Sequence, residues 1–313
     1  MRRLALWCAL AVTVTASIIP PYAAIQTDGL VSDMVVREGK LYVSTDGGGV
    51  GIYDAQTRKK VSSILLPKVK IGSSKPFVPK IYSVDHYRNM TVMVSESGES
   101  FRNVFLMKEN KLVKIIDNSR GLLIKKVRFL DAGHVLFGLS GDTIVSMDIS
   151  TNTLVYQVQA GGGVFQDMAL SNSRGLVAVA DESGEVAMIN TKNGRKVKTL
   201  RGINLDNINR IDYRDNTILS AGQDRRVGVY REKGSYFIET DFFVYAVGLS
   251  PSATRGVYTD GSENELQVFD VATRAKTARL KGGETLYDTL IFINEHQLIG
   301  AGEENKIYYW RIP

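Results

Sequence analysis

The chain has 313 residues, of which 44% are hydrophobic and 23% charged, a balance that excludes a disordered chain and a polytopic membrane protein. Its 39 basic and 33 acidic residues give a formal charge of +6, a mild excess that favours acidic partners without demanding nucleic acid. The single cysteine, Cys8, lies in the first apolar run, so a chain that has shed that run has no disulfide, thiolate catalyst, thiolate metal site or C-x-x-C-H haem attachment.

Arg2 and Arg3 precede the apolar run 4–11, which continues Thr-rich to Ile19, with small residues at Ala16, Ala23 and Ala24. A basic start followed by an apolar run shorter than the about 20 residues of a membrane span predicts a signal peptide. The leader is placed at residues 1–24 and the mature domain at 25–313. Cleavage after Ala16 or after Ala24 meets the small-residue rule, although Tyr22 is a poor fit two places before Ala24. An uncleaved anchor is the alternative. Cys8 follows Trp7 with no small-residue lipobox, so lipidation is not expected. Losing Arg2 and Arg3 leaves 37 basic against 33 acidic residues, about +4. Export to the periplasm is the expectation.

Beyond the leader, one device recurs with a period of about 40 residues, the spacing of propeller blades. A strand ends in a large apolar residue followed by a polar one at Tyr53-Asp54, Met107-Lys108, Met147-Asp148, Ile189-Asn190, Tyr230-Arg231, Phe269-Asp270 and Trp310-Arg311. The polar ends are spaced 54, 40, 42, 41, 39 and 41 residues apart, so one interval carries an insertion. Another apolar strand precedes each of these, across turn formers such as Asp46-Gly47-Gly48-Gly49 and Gly222-Gln223-Asp224. Further turns and strands follow, as at Thr57–Val61 and Lys192–Val197. Four strands per unit and seven units predict an all-β, seven-bladed propeller with antiparallel four-stranded blades, because a lone meander leaves both faces open whereas a ring covers them. The C-terminus stops after a third strand at Pro313, so a strand near Ala24 to Thr27 is expected to close the seventh blade. Pro67, Pro76 and Pro79 mark an insert and not a second domain.

The unit around Ser220-Ala221-Gly222-Gln223-Asp224-Arg225-Arg226 resembles the WD40 repeat, with Asp224 where that family often has its turn aspartate. The resemblance covers the whole mature chain and is degenerate. No repeat keeps the Gly-His pair in its usual place, since Gly133-His134 stands before a second strand, and Trp-Asp endings are replaced by Tyr-Asp, Met-Asp, Phe-Asp or Trp-Arg. These departures remove the expectation of the family's hydrogen-bonded tetrad. Short strings at 80–85, 101–105, 221–226 and 245–251 are similar to NapL, a type of accessory protein encoded with periplasmic nitrate reductase. That resemblance implies a non-catalytic, protein-binding propeller supporting maturation or activity of periplasmic nitrate reductase, with no active site to carry over.

No motif argues for chemistry. His86, His134 and His296 fall in different blades and are expected at turns, too far apart for one metal; no G-x-S-x-G elbow is present; and the glycine runs 47–49 and 161–163 do not open a helix. No cofactor is expected. The competing readings are a propeller enzyme of lactonase or quinoprotein type and an outer-membrane assembly scaffold; the first needs convergent histidines or acids and the second a lipidated cysteine. The longest inter-blade connection carries Lys68, Lys70, Lys75 and Lys80 around Phe77, a set suited to an acidic protein surface, or to solubility alone. Arg102, Asn103, Arg225 and Arg226 are placed by the repeat on the same face. Aligning the blades puts Asp33, Ser83, Lys126, Asp167, Arg210, Ala246 and Thr289 at one level of the innermost strands. Asp33, Lys126, Asp167 and Arg210 are therefore expected at the channel mouth, with Lys126, Asp167 and Arg210 pairing around it to fix its rim; ligand binding there is the alternative.

Overall fold

Strands make up more than half of the described residues. The computed structural model describes residues 18–261 and 263–313, and its only helical element among them is the 3-10 turn Asn118–Arg120. Strands group into blades 31–65, 81–116, 124–159, 165–200, 208–239, 247–281 and 287–311, each counted outward from its innermost strand. Blades 1 to 6 are consecutive meanders. Blade 7 takes its outermost strand from Ala23–Gln26, antiparallel to Lys306–Arg311, with Ala23 opposite Tyr309 and Gln26 opposite Lys306. The ring is therefore closed by the N-terminal strand, as expected from the sequence.

Seven hydrophobic clusters hold the ring, one at each blade-to-blade interface, including Met34, Leu41, Val43 and Tyr53 against Ile299, Ala301, Ile307 and Tyr309 where blade 1 meets blade 7. Middle strands such as Leu176–Asp181 are buried almost throughout, because each face meets a different neighbouring blade. Every fully buried Leu, Ile or Phe contributes about 1.5–3 kcal/mol, and packing is close. The Phe165 ring of blade 4 fills the space beside Gly138 of blade 3, where a Cβ would stand 2.3 Å from the ring.

Where the polar residue that ends the third strand is aspartate, it has a local task. Asp54 Oδ1 accepts the backbone N–H groups of Gln56 and Thr57, Asp148 those of Ser150 and Thr151, and Asp270 those of Ala272 and Thr273. Each builds the turn into the outermost strand by satisfying donors that strand pairing leaves free.

Residues 18–24, assigned from sequence to the leader, lie against the ring. Ile18–Ile19 adds a short parallel strand to Lys276–Lys281 of blade 6. Tyr22 donates its N–H to Tyr309 O at 2.9 Å, and the guanidinium groups of Arg58 and Arg311 stand 5.3 and 4.8 Å from its ring centre. Arg2, Arg3, Cys8 and Ala16 lie outside the described residues.

Candidate functional site

Two surfaces are built by this ring: the channel wall and the face carrying the inter-blade connections. In six blades the innermost strand has a β-bulge, with register shifts between Val31 and Asp33, Ile81 and Ser83, Ile124 and Lys126, Phe165 and Asp167, Ile208 and Arg210, and Tyr287 and Thr289. A bulge re-aims side chains. Here it brings consecutive residues such as Lys125 and Lys126 to the wall of one channel cavity of about 610 Å³.

Asp33 lies beside Arg128, whose Nη1 and Nη2 donate to its two oxygens at 2.8 and 3.0 Å, while Ser83 Oγ and Val84 N donate to Oδ2 at 2.6 and 3.2 Å. Burial alone would raise the Asp33 pKa, but Arg128 outweighs it and holds the carboxyl well below its ordinary range. Lys126 pairs with Asp167, whose Oδ2 accepts Ile211 N of the next blade at 3.0 Å. Burial pulls the Lys126 pKa down, with Asp167 opposing it. Arg210 does not join that pair: its Nε donates to Asp288 O at 2.9 Å. A carboxylate on one innermost strand accepting an N–H from the next recurs at Asp85 to Phe129 and Asp212 to Leu249, both at 2.9 Å. The wall charges thus tie neighbouring blades together.

On the connection face, the insert 66–80 forms a narrow excursion clasped by reciprocal backbone hydrogen bonds of 2.9 Å between Val69 and Phe77. Lys68, Lys70, Lys75 and Lys80 are exposed, as are Ile71 and Val78; Phe77 is half-buried. Lys80 and Arg102 both lie over Tyr82, at 5.6 and 4.0 Å from its ring centre. Arg225 projects to solvent. Arg226 instead donates to Ile203 O at 3.0 Å and covers Phe237, so it is a packed residue. Asn103 is 4% exposed, and its Oδ1 accepts Asn118 N at 3.0 Å, which removes it from the accessible set. Nor is the face basic all round. Asp241, Glu263, Glu284, Glu303 and Glu304 stand on its blade 6 and 7 side, opposite in charge to the insert.

The blade 5 turn holds a side-chain network that the degenerate repeat gave no reason to expect. Asn204 Nδ2 donates to Asp224 Oδ1 at 3.1 Å, Ser220 Oγ and Tyr230 OH converge on Asn204 Oδ1, and Asp224 Oδ2 accepts Leu205 N at 2.7 Å. The amide takes both ends of the network, linking the 201–207 connection to three positions of the blade. Among the histidines, His86 is not a turn residue. It is buried in the innermost strand of blade 2, stacked on Tyr42 at 4.2 Å and bonded to Thr91, and burial lowers its pKa. His134 bonds Asp131, and His296 bonds Ile312 O. Among the described residues no group of three or more His, Cys, Asp or Glu side chains is arranged to hold a metal.

With this geometry in place, comparison with known proteins gives one clear result. The chain is similar to the β-propeller domain of Cps50 (Swd1) from Myceliophteria thermophila, with a TM-score of 0.73 over 94% of this chain and 99% of that one. The fold is a seven-bladed, WD40-like β-propeller. Sequence identity is 13%, so the likeness carries the fold and no activity. No family model matches the chain, and no curated protein does.

Sequence reading missed Arg128, Asp85 and Asp212. They stand two residues beyond Lys126, Ser83 and Arg210, so the period-two rule applied one step further along each innermost strand finds them. It also missed Phe242 and Phe243, which with Tyr245 make an aromatic group, ring centres 5.4 and 6.4 Å from Phe242, on the connection between blades 5 and 6. An aromatic pair outside any strand alternation was the available signal.

Proposed function

We propose that this chain is an exported, non-catalytic binding propeller whose connection face docks a protein with an acidic surface, and that the partner is a component of periplasmic nitrate reductase. One observation carries the docking face. Outside the strands, and apart from Tyr22, the exposed large apolar side chains among the described residues are Leu30, Ile71, Val78, Phe101, Val164, Leu205, Phe242 and Phe243, and all stand on that face. The opposite face, made of the first-to-second and third-to-fourth strand turns, has none among the described residues.

An apolar annulus on one face of a ring supplies contact area, while the four insert lysines supply charge complementarity that steers the approach. A non-catalytic reading is supported by four carboxylates of the channel wall, Asp33, Asp85, Asp167 and Asp212, each engaged by a backbone N–H and a cation; the fifth, Asp288, accepts from Thr289 Oγ1 at 2.9 Å. Among the described residues no helix is long and apolar enough to cross a membrane. The short strings similar to NapL narrow the partner to nitrate reductase components, and the leader supports an encounter in the periplasm.

The test is association of the purified chain with purified periplasmic nitrate reductase, comparing the parent with the Lys68→Glu, Lys70→Glu, Lys75→Glu, Lys80→Glu quadruple variant. Reversing four exposed charges is expected to slow association by about tenfold or more at low salt and to weaken its salt dependence. Unchanged association would remove the insert from the interface, and no association of the parent would remove nitrate reductase as the partner.

A further inference from the structure

Toward the end of the channel away from the insert, the balance of charge changes. Arg37, Arg174 and Arg214 come from blades 1, 4 and 5 and line the same cavity of about 610 Å³. Two carboxylates serve them: Asp85 lies 2.9 Å from Arg37 Nε, and Asp212 lies 3.6 Å from Arg214 Nε. The other oxygen of each already accepts a backbone N–H, from Phe129 and Leu249 respectively. Arg174 has no carboxylate partner among the described residues. It donates to Phe129 O at 3.1 Å and sits 4.7 Å from the ring centre of Tyr87.

Three guanidinium groups therefore share two carboxylates that are partly committed elsewhere. Arg37 registers the excess. Burial lowers its pKa and Asp85 opposes this, but Arg128, Arg174 and Arg214 push it down further. At the other mouth Lys126 pairs with Asp167 and Arg128 with Asp33, while Arg210 donates to the backbone oxygen of Asp288; the arginine end differs in gathering guanidinium groups of three blades around two carboxylates, a local field that favours an anion.

We propose that this end of the channel binds a small oxyanion, of the phosphate or carboxylate class, gripped jointly by Arg37, Arg174 and Arg214. The chemistry is that of planar guanidinium forks, whose paired N–H donors match oxyanion geometry. The channel cavity as a whole, about 610 Å³, lies within the range of about 300–1,000 Å³ usual for small-molecule sites, so an organic substituent on the anion can extend along it. The site is separate from the connection face, so it can be occupied whether or not that face docks a protein.

The test is thermal unfolding of the purified chain titrated with inorganic phosphate, and separately with succinate, at ionic strength held constant with sodium chloride. A saturable rise in melting temperature with either anion is expected, with affinity reduced about tenfold or more in Arg174→Gln and in Arg214→Gln. Lys198→Gln, on an exposed outermost strand, should respond like the parent, and the melting temperatures without added anion show that the variants fold. A response to neither anion, or an undiminished response in the Arg174→Gln, Arg214→Gln double variant, overturns the proposal.

Discussion

Replacing Asp142 by asparagine is expected to stabilise the propeller at alkaline pH and to leave it nearly unchanged at acid pH. Asp142 sits in the turn between the second and third strands of blade 3, 1% exposed, and its Oδ1 has no hydrogen-bond partner among the described residues. Asp181 of blade 4 faces it across Gly161. One oxygen of each carboxylate stands 2.6 Å from the point a Gly161 Cβ would occupy, so those oxygens are at most 5.2 Å apart. Burial first, and the Asp181 charge second, push the Asp142 pKa from 3.8 up to about 7. A folded-state pKa above the unfolded one means that the folded protein binds the proton more tightly. The resulting stabilisation is full below about pH 4 and lost as pH rises to about 7. At about 1.4 kcal/mol per pH unit the whole displacement corresponds to about 4 kcal/mol, and relaxation of the turn reduces the realised effect to about 2 kcal/mol or more. The asparagine side chain would carry no charge, and asparagine tolerates the positive φ of 54° at this position as well as any residue except glycine. Urea unfolding at pH 4.5 and pH 8 measures the difference directly. A gap between Asp142→Asn and the parent that is the same at both values would refute the reasoning, as would a loss of stability at pH 8.

Breaking the channel pair at one end should cost far more than removing it entirely. Arg128→Met, which strands the buried Asp33 carboxylate, is expected to lose about 3–5 kcal/mol in urea unfolding, and adding Asp33→Leu to recover most of it; equal losses in both would show that packing and not charge dominates. The proposed export gives a second test, at the N-terminus of the protein recovered outside the cytoplasm. Cleavage after Ala24 would remove Ile18–Ile19 and Tyr22 and half of the strand Ala23–Gln26 that closes blade 7, so intact mass is expected to report cleavage after Ala16. A mass matching cleavage after Ala24 would contradict that expectation, and an uncleaved mass would contradict the leader itself.

The blade count was legible because the endings recur at nearly constant spacing after one insertion, and in three of them the aspartate builds the next turn, as Asp54, Asp148 and Asp270 show. Ring closure was legible for a topological reason, the lack of an outermost strand after Trp310. Bulges were not. They bring consecutive residues such as Lys125 and Lys126 to one wall, and the partner of Asp33 is Arg128, one step beyond the aligned level. The blade 5 network is not marked by the repeat's dipeptides, because it needs an amide at Asn204, in the preceding connection, that can donate to Asp224 and accept from Ser220 and Tyr230 together. Burial of Asn103 follows from its strand position, with Asn118 folding back over it, a long-range fact that spacing does not contain. His86 was misplaced by one turn for a similar reason, since the strand Ile81–Tyr87 runs further than its apolar residues suggest.

That one face of the ring binds a protein is tested most directly by site-specific photo-cross-linking in the exporting host. A cross-linker at Ile71 or Phe243, on the insert and on the aromatic connection, is compared with one at Leu154 or Val197 on outermost strands, all four being exposed. A nitrate reductase component is expected to be captured from the first two positions and not from the last two. Capture from Leu154 or Val197 alone, or equal capture from all four, would contradict a docking role for the connection face.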